Sequence, residues 1–178
     1  SELMEITFQL NGKKITHSIE SDTILLDLLR ELKCYSVKRG CETSNCGLCT
    51  VFVNEKPVLS CSTIAARVNG AEVVTLEGLQ DEAKAFGAYV ADEGAEQCGF
   101  CNPGFMMNAI AMFRENPDPT DEEILEYLSG NLCRCTGYQS QLRSLRNYLN
   151  SKKKGAAMDL EANVYGEDVG KEWKHEGI

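Results

Sequence analysis

The chain has 178 residues, 43% of them hydrophobic and 25% charged, a globular composition that excludes disordered, collagen-like and low-complexity classes. Its 27 acidic residues against 18 basic ones leave a net charge of −9, which repels phosphate backbones and anionic lipid and sets nucleic-acid and membrane-surface roles aside. The length fits one domain or two small ones, not a large catalytic barrel or a full dinucleotide-binding domain. No apolar run approaches the roughly 20 residues needed to span a bilayer, and the N-terminal residues alternate instead of forming a signal-peptide core. The expectation is a soluble, cytoplasmic protein with no membrane span.

Met4, Ile6, Phe8 and Leu10 share one face of a half-buried strand, Asn11 and Gly12 supply a tight turn, and Lys14–Ile19 returns as a second strand. Asp22 and Thr23 are placed to cap a helix that buries Ile24, Leu25, Leu28, Leu29 and Leu32. Thr50–Val53 and Val58–Cys61 read as a hairpin around Asn54 and Glu55, and Val73–Leu76 as a further strand. Strands around one helix predict a small α+β domain over residues 1–79. From there the pattern turns helical. Asp81–Asp92 is amphipathic, Pro103 starts a second helix that Asn116 and Pro117 stop, Thr120 with Glu123 forms a capping box for a third ending near Gly130, and Tyr138, Leu142, Leu145 and Leu149 mark a fourth. Residues 80–150 thus predict a compact bundle with a cysteine pair before its second and fourth helices. Residues 151–178 cannot bury a core alone; they read either as a disordered tail or as a strap along a partner, anchored by Leu160, Val164, Tyr165 and Trp173.

Nine cysteines against two histidines carry the chemistry. Cys41, Cys46 and Cys49 lie in GCETSNCGLC, with Cys61 further on; Cys98 and Cys101 lie in QCGFCNPG, and Cys133 and Cys135 in NLCRCTG. Such close spacings suit a metal centre and rarely suit disulfides. The first set matches the C-x4-C-x2-C spacing with a distant fourth cysteine that plant-type 2Fe–2S clusters use. A structural zinc site is the competing reading, and it usually shows two CxxC knuckles, which this loop lacks. For the second set, CxxC followed by CxC, zinc and iron–sulfur compete on spacing alone. Pro103 and Gly104 turn that loop into a helix whose N-terminal dipole favours an anionic cluster.

The runs GCETSNCGLCTV, QCGFCNPG and NLCRCTGY resemble the iron–sulfur subunit of the molybdenum hydroxylases, the xanthine dehydrogenase and aldehyde oxidoreductase family, over Met4 to about Leu149. The resemblance implies a β-grasp ferredoxin domain followed by a four-helix bundle, each holding one 2Fe–2S cluster on its four cysteines. It implies an electron-transfer subunit that relays electrons from the molybdopterin of a large partner subunit to FAD in a further subunit or to another acceptor. Gln97 and the Cys135 segment would contact the pterin, and the substrate pocket would lie in the partner. A free two-cluster carrier and a zinc-stabilised interaction module are the alternatives. The family commonly has glycine at position 44, often glycine at 42, and threonine or serine at 102. Ser44 therefore sets a Cβ and an O–H donor near the cluster, a position from which it can shift the potential, whereas Asn102 gives no reason to disturb ligation.

The remaining residues have plainer readings. Cys34 fills a small buried apolar position. His17 shares the parity of Ile15 and Ile19 and is packed or at an edge, and His175 has no partner motif. Met106, Met107 and Met112 fill core gaps, while Arg134 either offsets cluster charge or faces solvent.

Overall fold

The computed structural model describes residues 2–153. The anchors named above for a strap lie outside the described residues, as does His175.

Alternation of apolar and polar residues builds a hairpin from β1 (Leu3–Leu10) and β2 (Lys13–Glu20). Leu10 pairs with Lys13, leaving Asn11 and Gly12 as the turn at φ 50° and 80°, the left-handed geometry that matches strand twist. Helix α1 (Leu25–Glu31) buries Leu25, Leu26, Leu28 and Leu29. It lacks the expected side-chain cap, because the Thr23 hydroxyl accepts from the Glu20 N–H at 3.1 Å and serves the turn that leaves β2. A long loop leads to the hairpin of β3 (Thr50–Val53) and β4 (Lys56–Leu59), turned at Asn54 and Glu55, both at positive φ. Strand β4 stops before Cys61, which instead sits on a 3₁₀ turn over Ser60–Ser62. Strand β5 (Glu72–Val74) is shorter than expected, since Leu76 opens another 3₁₀ turn.

The five strands form one mixed sheet in the order β2-β1-β5-β3-β4, with β1 and β5 parallel and the other pairs antiparallel. Ile6, Phe8, Leu10, Val51 and Val73 share a core with the α1 leucines, and Cys34 is 5% exposed within it, as its apolar reading requires. His17 lies on the edge strand β2 with its Nε2 3.4 Å from Glu31.

Four further helices follow: α2 (Gln80–Asp92), α3 (Asn102–Glu115), α4 (Asp121–Ser129) and α5 (Gln139–Lys153). Helix α5 runs past Leu149 through the first residues assigned to the tail. The capping box of α4 forms as read: the Thr120 hydroxyl accepts from the Glu123 N–H, and the Glu123 carboxylate accepts from the Thr120 N–H at 2.7 Å. The four helices share one core in which Phe86, Phe105, Phe113, Tyr89 and Tyr148 stack edge-on or tilted at 4.9–5.7 Å. Met106 and Met112 are buried there. Met107 joins Phe52, Ile110 and Ala111 in a smaller core where α3 meets β3.

Candidate metal centres

The loop between α1 and β3 carries Cys41, Cys46 and Cys49, and the 3₁₀ turn after β4 brings Cys61 to them. Cys46 and Cys49 are buried, and Cys41 and Cys61 are half-buried. The thiols group in pairs. Cys41 hydrogen-bonds with Cys46, Cys49 with Cys61, and Cys61 also feels the charge of Cys41. The backbone N–H groups of Asn45, Thr43 and Cys46 point at the Cys41 sulfur and hold its pKa down to about 6. Burial pushes Cys46 and Cys49 the other way. Cys61 is lowered: burial opposes this, but the Ser62 and Ser44 hydroxyls and Cys49 outweigh it. Gly40 lies tight against the loop, where an added Cβ would meet Leu48 Cδ2 at 2.7 Å and Cys46 Sγ at 3.2 Å.

The second set sits at the helical end. Cys98 and Cys101 precede α3, and Cys133 and Cys135 precede α5, as the spacing predicted. Cys101 and Cys133 are half-buried, whereas Cys98 and Cys135 are exposed. Pairing recurs: Cys98 hydrogen-bonds with Cys135 and Cys101 with Cys133. Burial, then the neighbouring Cys133, pushes Cys101 up to about 12. Cys98 is lowered by the Phe100 N–H and the Cys135 thiol, and Cys135, which shares that bond, is raised. For Cys133, burial is outweighed by the Thr136 hydroxyl 3.2 Å from its sulfur and by the Thr136 and Cys135 N–H groups. All four thiols line one small cavity together with Gln97, which is exposed. Arg134 is exposed, matching the solvent-facing reading.

In each set, thiols whose pKa is lowered stand beside thiols whose pKa is raised. Bringing all four to thiolates sets like charges side by side, which a cation among them relieves, so both sets suit a metal centre. Two thiols facing two others suit a binuclear centre in which each iron takes a pair. The donor sets therefore fit 2Fe–2S clusters better than zinc.

The two sets are joined directly. The Leu132 N–H donates to the Cys46 carbonyl at 2.9 Å, so one hydrogen bond links a residue of the first set to the neighbour of Cys133. Lys38 Nζ donates to the Phe100 carbonyl at 3.2 Å and lies 4.8 Å over its ring. Gly104 at the start of α3 packs so closely that a Cβ there would fall 2.7 Å from the Gly47 carbonyl oxygen.

Sequence reasoning missed several polar partners of the sulfurs. The Tyr138 hydroxyl accepts from the Cys133 N–H at 2.9 Å, although Tyr138 reads from the pattern only as a helix residue; it sits at φ 69° just before α5. Ser62 and Thr136 each place a hydroxyl on a cysteine sulfur. Their position one and three residues after a cysteine was the available signal. Asn131 is 4% exposed, and neither polar atom of its amide has a partner among the described residues.

Comparison with known proteins agrees with this geometry. Residues 8–83 match the model of the 2Fe-2S iron-sulfur cluster binding domain, and residues 75–146 match that of the 2Fe-2S binding domain. The chain is 45% identical to the nicotinate dehydrogenase small FeS subunit of Eubacterium barkeri, over 75% of this chain and 87% of the relative. It is 42% identical to the nicotine 6-hydroxylase small subunit of Paenarthrobacter nicotinovorans, over 79% and 86%. Among solved structures, quinoline 2-oxidoreductase from Pseudomonas putida 86 superposes with a TM-score of 0.79 at 36% identity, covering 87% of this chain and 99% of that one. Aldehyde oxidoreductase from Desulfovibrio gigas gives 0.80 at 30% identity, covering 88% of this chain and 18% of that longer one. Two thiol sets in this order, with these matches, place the chain in the family of iron–sulfur small subunits of the molybdenum hydroxylases.

Proposed function

We propose that this chain is the electron-relay subunit of a molybdenum hydroxylase complex, with Cys41, Cys46, Cys49 and Cys61 holding one 2Fe–2S cluster and Cys98, Cys101, Cys133 and Cys135 the other. In this reading residues 1–79 are a β-grasp ferredoxin domain and residues 80–150 a four-helix bundle. The exposed Gln97 and Cys135 face the molybdopterin of a large partner subunit, which also binds the substrate. The first cluster faces FAD in a further subunit or another acceptor, and the assembly is cytoplasmic.

The observation that carries the reading is the pair of four-thiol sets bridged by the Leu132 N–H and the Cys46 carbonyl. A bound 2Fe–2S cluster supplies a one-electron carrier whose potential follows hydrogen bonding to sulfur and solvent exposure. The chain's own residues do the rest. The loop N–H groups stabilise thiolates, β3 and α3 hold the two sets in fixed register, and the Cys46–Leu132 bond closes the covalent gap between them. On the two loops that carry the second set, Phe100 is 48% exposed and Leu132 49%, and Cys98 and Cys135 are exposed as well. A freely diffusing carrier would leave these side chains in water, whereas a docked partner covers them.

The test is an anaerobic purification. The expected preparation is coloured, contains about four irons per chain as two 2Fe–2S clusters require, gives two distinct EPR signals on reduction, and co-purifies with a molybdenum-containing chain. Cys98→Ser and Cys133→Ser should disrupt electron flow between the clusters more than Cys34→Ser does. A folded but colourless, iron-free protein, or a lone monomer fully competent as a carrier, would overturn the reading.

A further inference from the structure

We propose that Ser44 and Ser62 act as a relayed hydroxyl pair that donates an O–H···S hydrogen bond to Cys61 and so shifts electrons toward the cluster held by the first cysteine set. The inference rests on the reading that Cys41, Cys46, Cys49 and Cys61 hold a cluster.

The two hydroxyls come from different segments. Ser44 lies in the loop between Cys41 and Cys46, and Ser62 lies in the 3₁₀ turn that carries Cys61. Their oxygens are 2.6 Å apart, and each is 3.6 Å from Cys61 Sγ. Among the described residues neither hydroxyl has any other hydrogen-bond partner. Two hydroxyls carry two protons, and the bond between them uses one. The other is left for the sulfur whichever way the pair is oriented. Ser44 is held for this at φ 57°, a left-handed conformation that a side chain disfavours and glycine would adopt freely.

A reduced cluster is more negative than an oxidised one, so a donor aimed at its ligand sulfur stabilises the reduced form and raises the potential. Because either hydroxyl can reach the sulfur alone, loss of one leaves a donor in place. Loss of both removes it. The effects are therefore unequal: small for each single change and large for the double.

The experiment is an EPR-monitored redox titration of the full chain in its complex, as wild type and as Ser44→Gly, Ser62→Ala and the double variant. Ser44→Gly also relieves the left-handed φ, so folding is not what it tests. The expected result is that each single variant changes the electron distribution between the clusters by less than about threefold. The double variant changes it about tenfold away from the first cluster, equivalent to roughly 59 mV for one electron. The second cluster's potential stays put throughout. An unchanged first cluster in the double variant, a common shift of both clusters, or single effects that sum to the double would each overturn the proposal. So would loss of the first EPR signal from every variant, since the hydroxyls would then be holding the loop and not tuning it. A wild-type protein with no iron on the first set would sink the underlying reading instead.

Discussion

At φ +74° Gly47 turns the first cysteine loop against the helical half, and a Cβ there would lie 2.1 Å from the Gly130 carbonyl oxygen and 2.9 Å from Asn131 Oδ1. Gly70 has nearly the same φ, +77°, but nothing within 4 Å. The two glycines thus separate backbone strain from steric collision. Gly70→Ala should cost only the left-handed penalty, about 1 kcal/mol. Gly47→Ala adds overpacking of about 1–3 kcal/mol against backbone that cannot swing away. In thermal melts the Gly47 variant should fall by about 4–16 °C and the Gly70 variant by about 2–4 °C. Equal shifts would mean that the loop and the helical half are not in contact at Gly47. A second residue-scale prediction concerns Tyr127, whose hydroxyl donates to the Glu115 carboxylate. That bond, then burial and the nearby charges of Glu115, Glu126 and Glu123, pushes the phenol up to about 12. A pKa raised above its unfolded value near 10 contributes stability that is intact below pH 10 and lost as the pH climbs toward 12. Glu115→Gln should bring one tyrosine back toward an ordinary titration in the ultraviolet difference spectrum. If no tyrosine moves, the pair does not form in solution.

Short elements here depend on their ends. Helix α4 has only Ile124 and Leu128 buried, so its reciprocal cap supplies a substantial share of what holds it. Thr120→Ala should cost about 1 kcal/mol, read by denaturant unfolding, while Thr120→Ser should be nearly silent because its hydroxyl still accepts from Glu123. That cap was legible in the sequence because both partners lie close in the chain, and it forms even though the Asn116 amide also donates to the Glu123 carboxylate at 3.2 Å. The Asn11–Gly12 turn was legible for the same reason. Thr23 was not, since its hydroxyl has two local suitors and the Glu20 N–H leaving β2 wins. The end of β4 was misplaced because Leu59–Ser62 carries no glycine or proline to mark where extended backbone tightens into a 3₁₀ turn. Seven of the eight paired cysteines stood out because each lies two to five positions from another, whereas the arrival of Cys61 and the meeting of Cys98 and Cys101 with Cys133 and Cys135 depend on the fold. Ser62, Thr136 and Tyr138 did not stand out, because a hydroxyl becomes a sulfur partner only when folding brings it within reach.

The whole molecule is organised by the seam between sheet and helices. Phe52 is 1% exposed and packs with Met107, Ile110 and Ala111, the Arg114 guanidinium lies 5.1 Å over its ring, and Asn108 donates to the Thr50 hydroxyl oxygen at 3.2 Å. This apolar plug lies on the same β3–α3 contact that keeps Gly104 against Gly47 and the Leu132 N–H on Cys46. An electron relay needs that register fixed, because the sole backbone hydrogen bond between Cys46 and Leu132 is lost if the halves part. Phe52→Ala should therefore loosen the seam before it loosens either core. A truncation of this kind costs about 3–5 kcal/mol. If most of that is charged to local opening, amide exchange across Leu132 should speed up by roughly a hundredfold or more. The amides of Ile6–Leu10, in the core shared with α1, should change far less. Hydrogen–deuterium exchange read by mass spectrometry on peptides covering the two regions makes the comparison. Equal acceleration in both would show that the sheet and the helices unfold as one unit, with no separable seam for the relay to depend on.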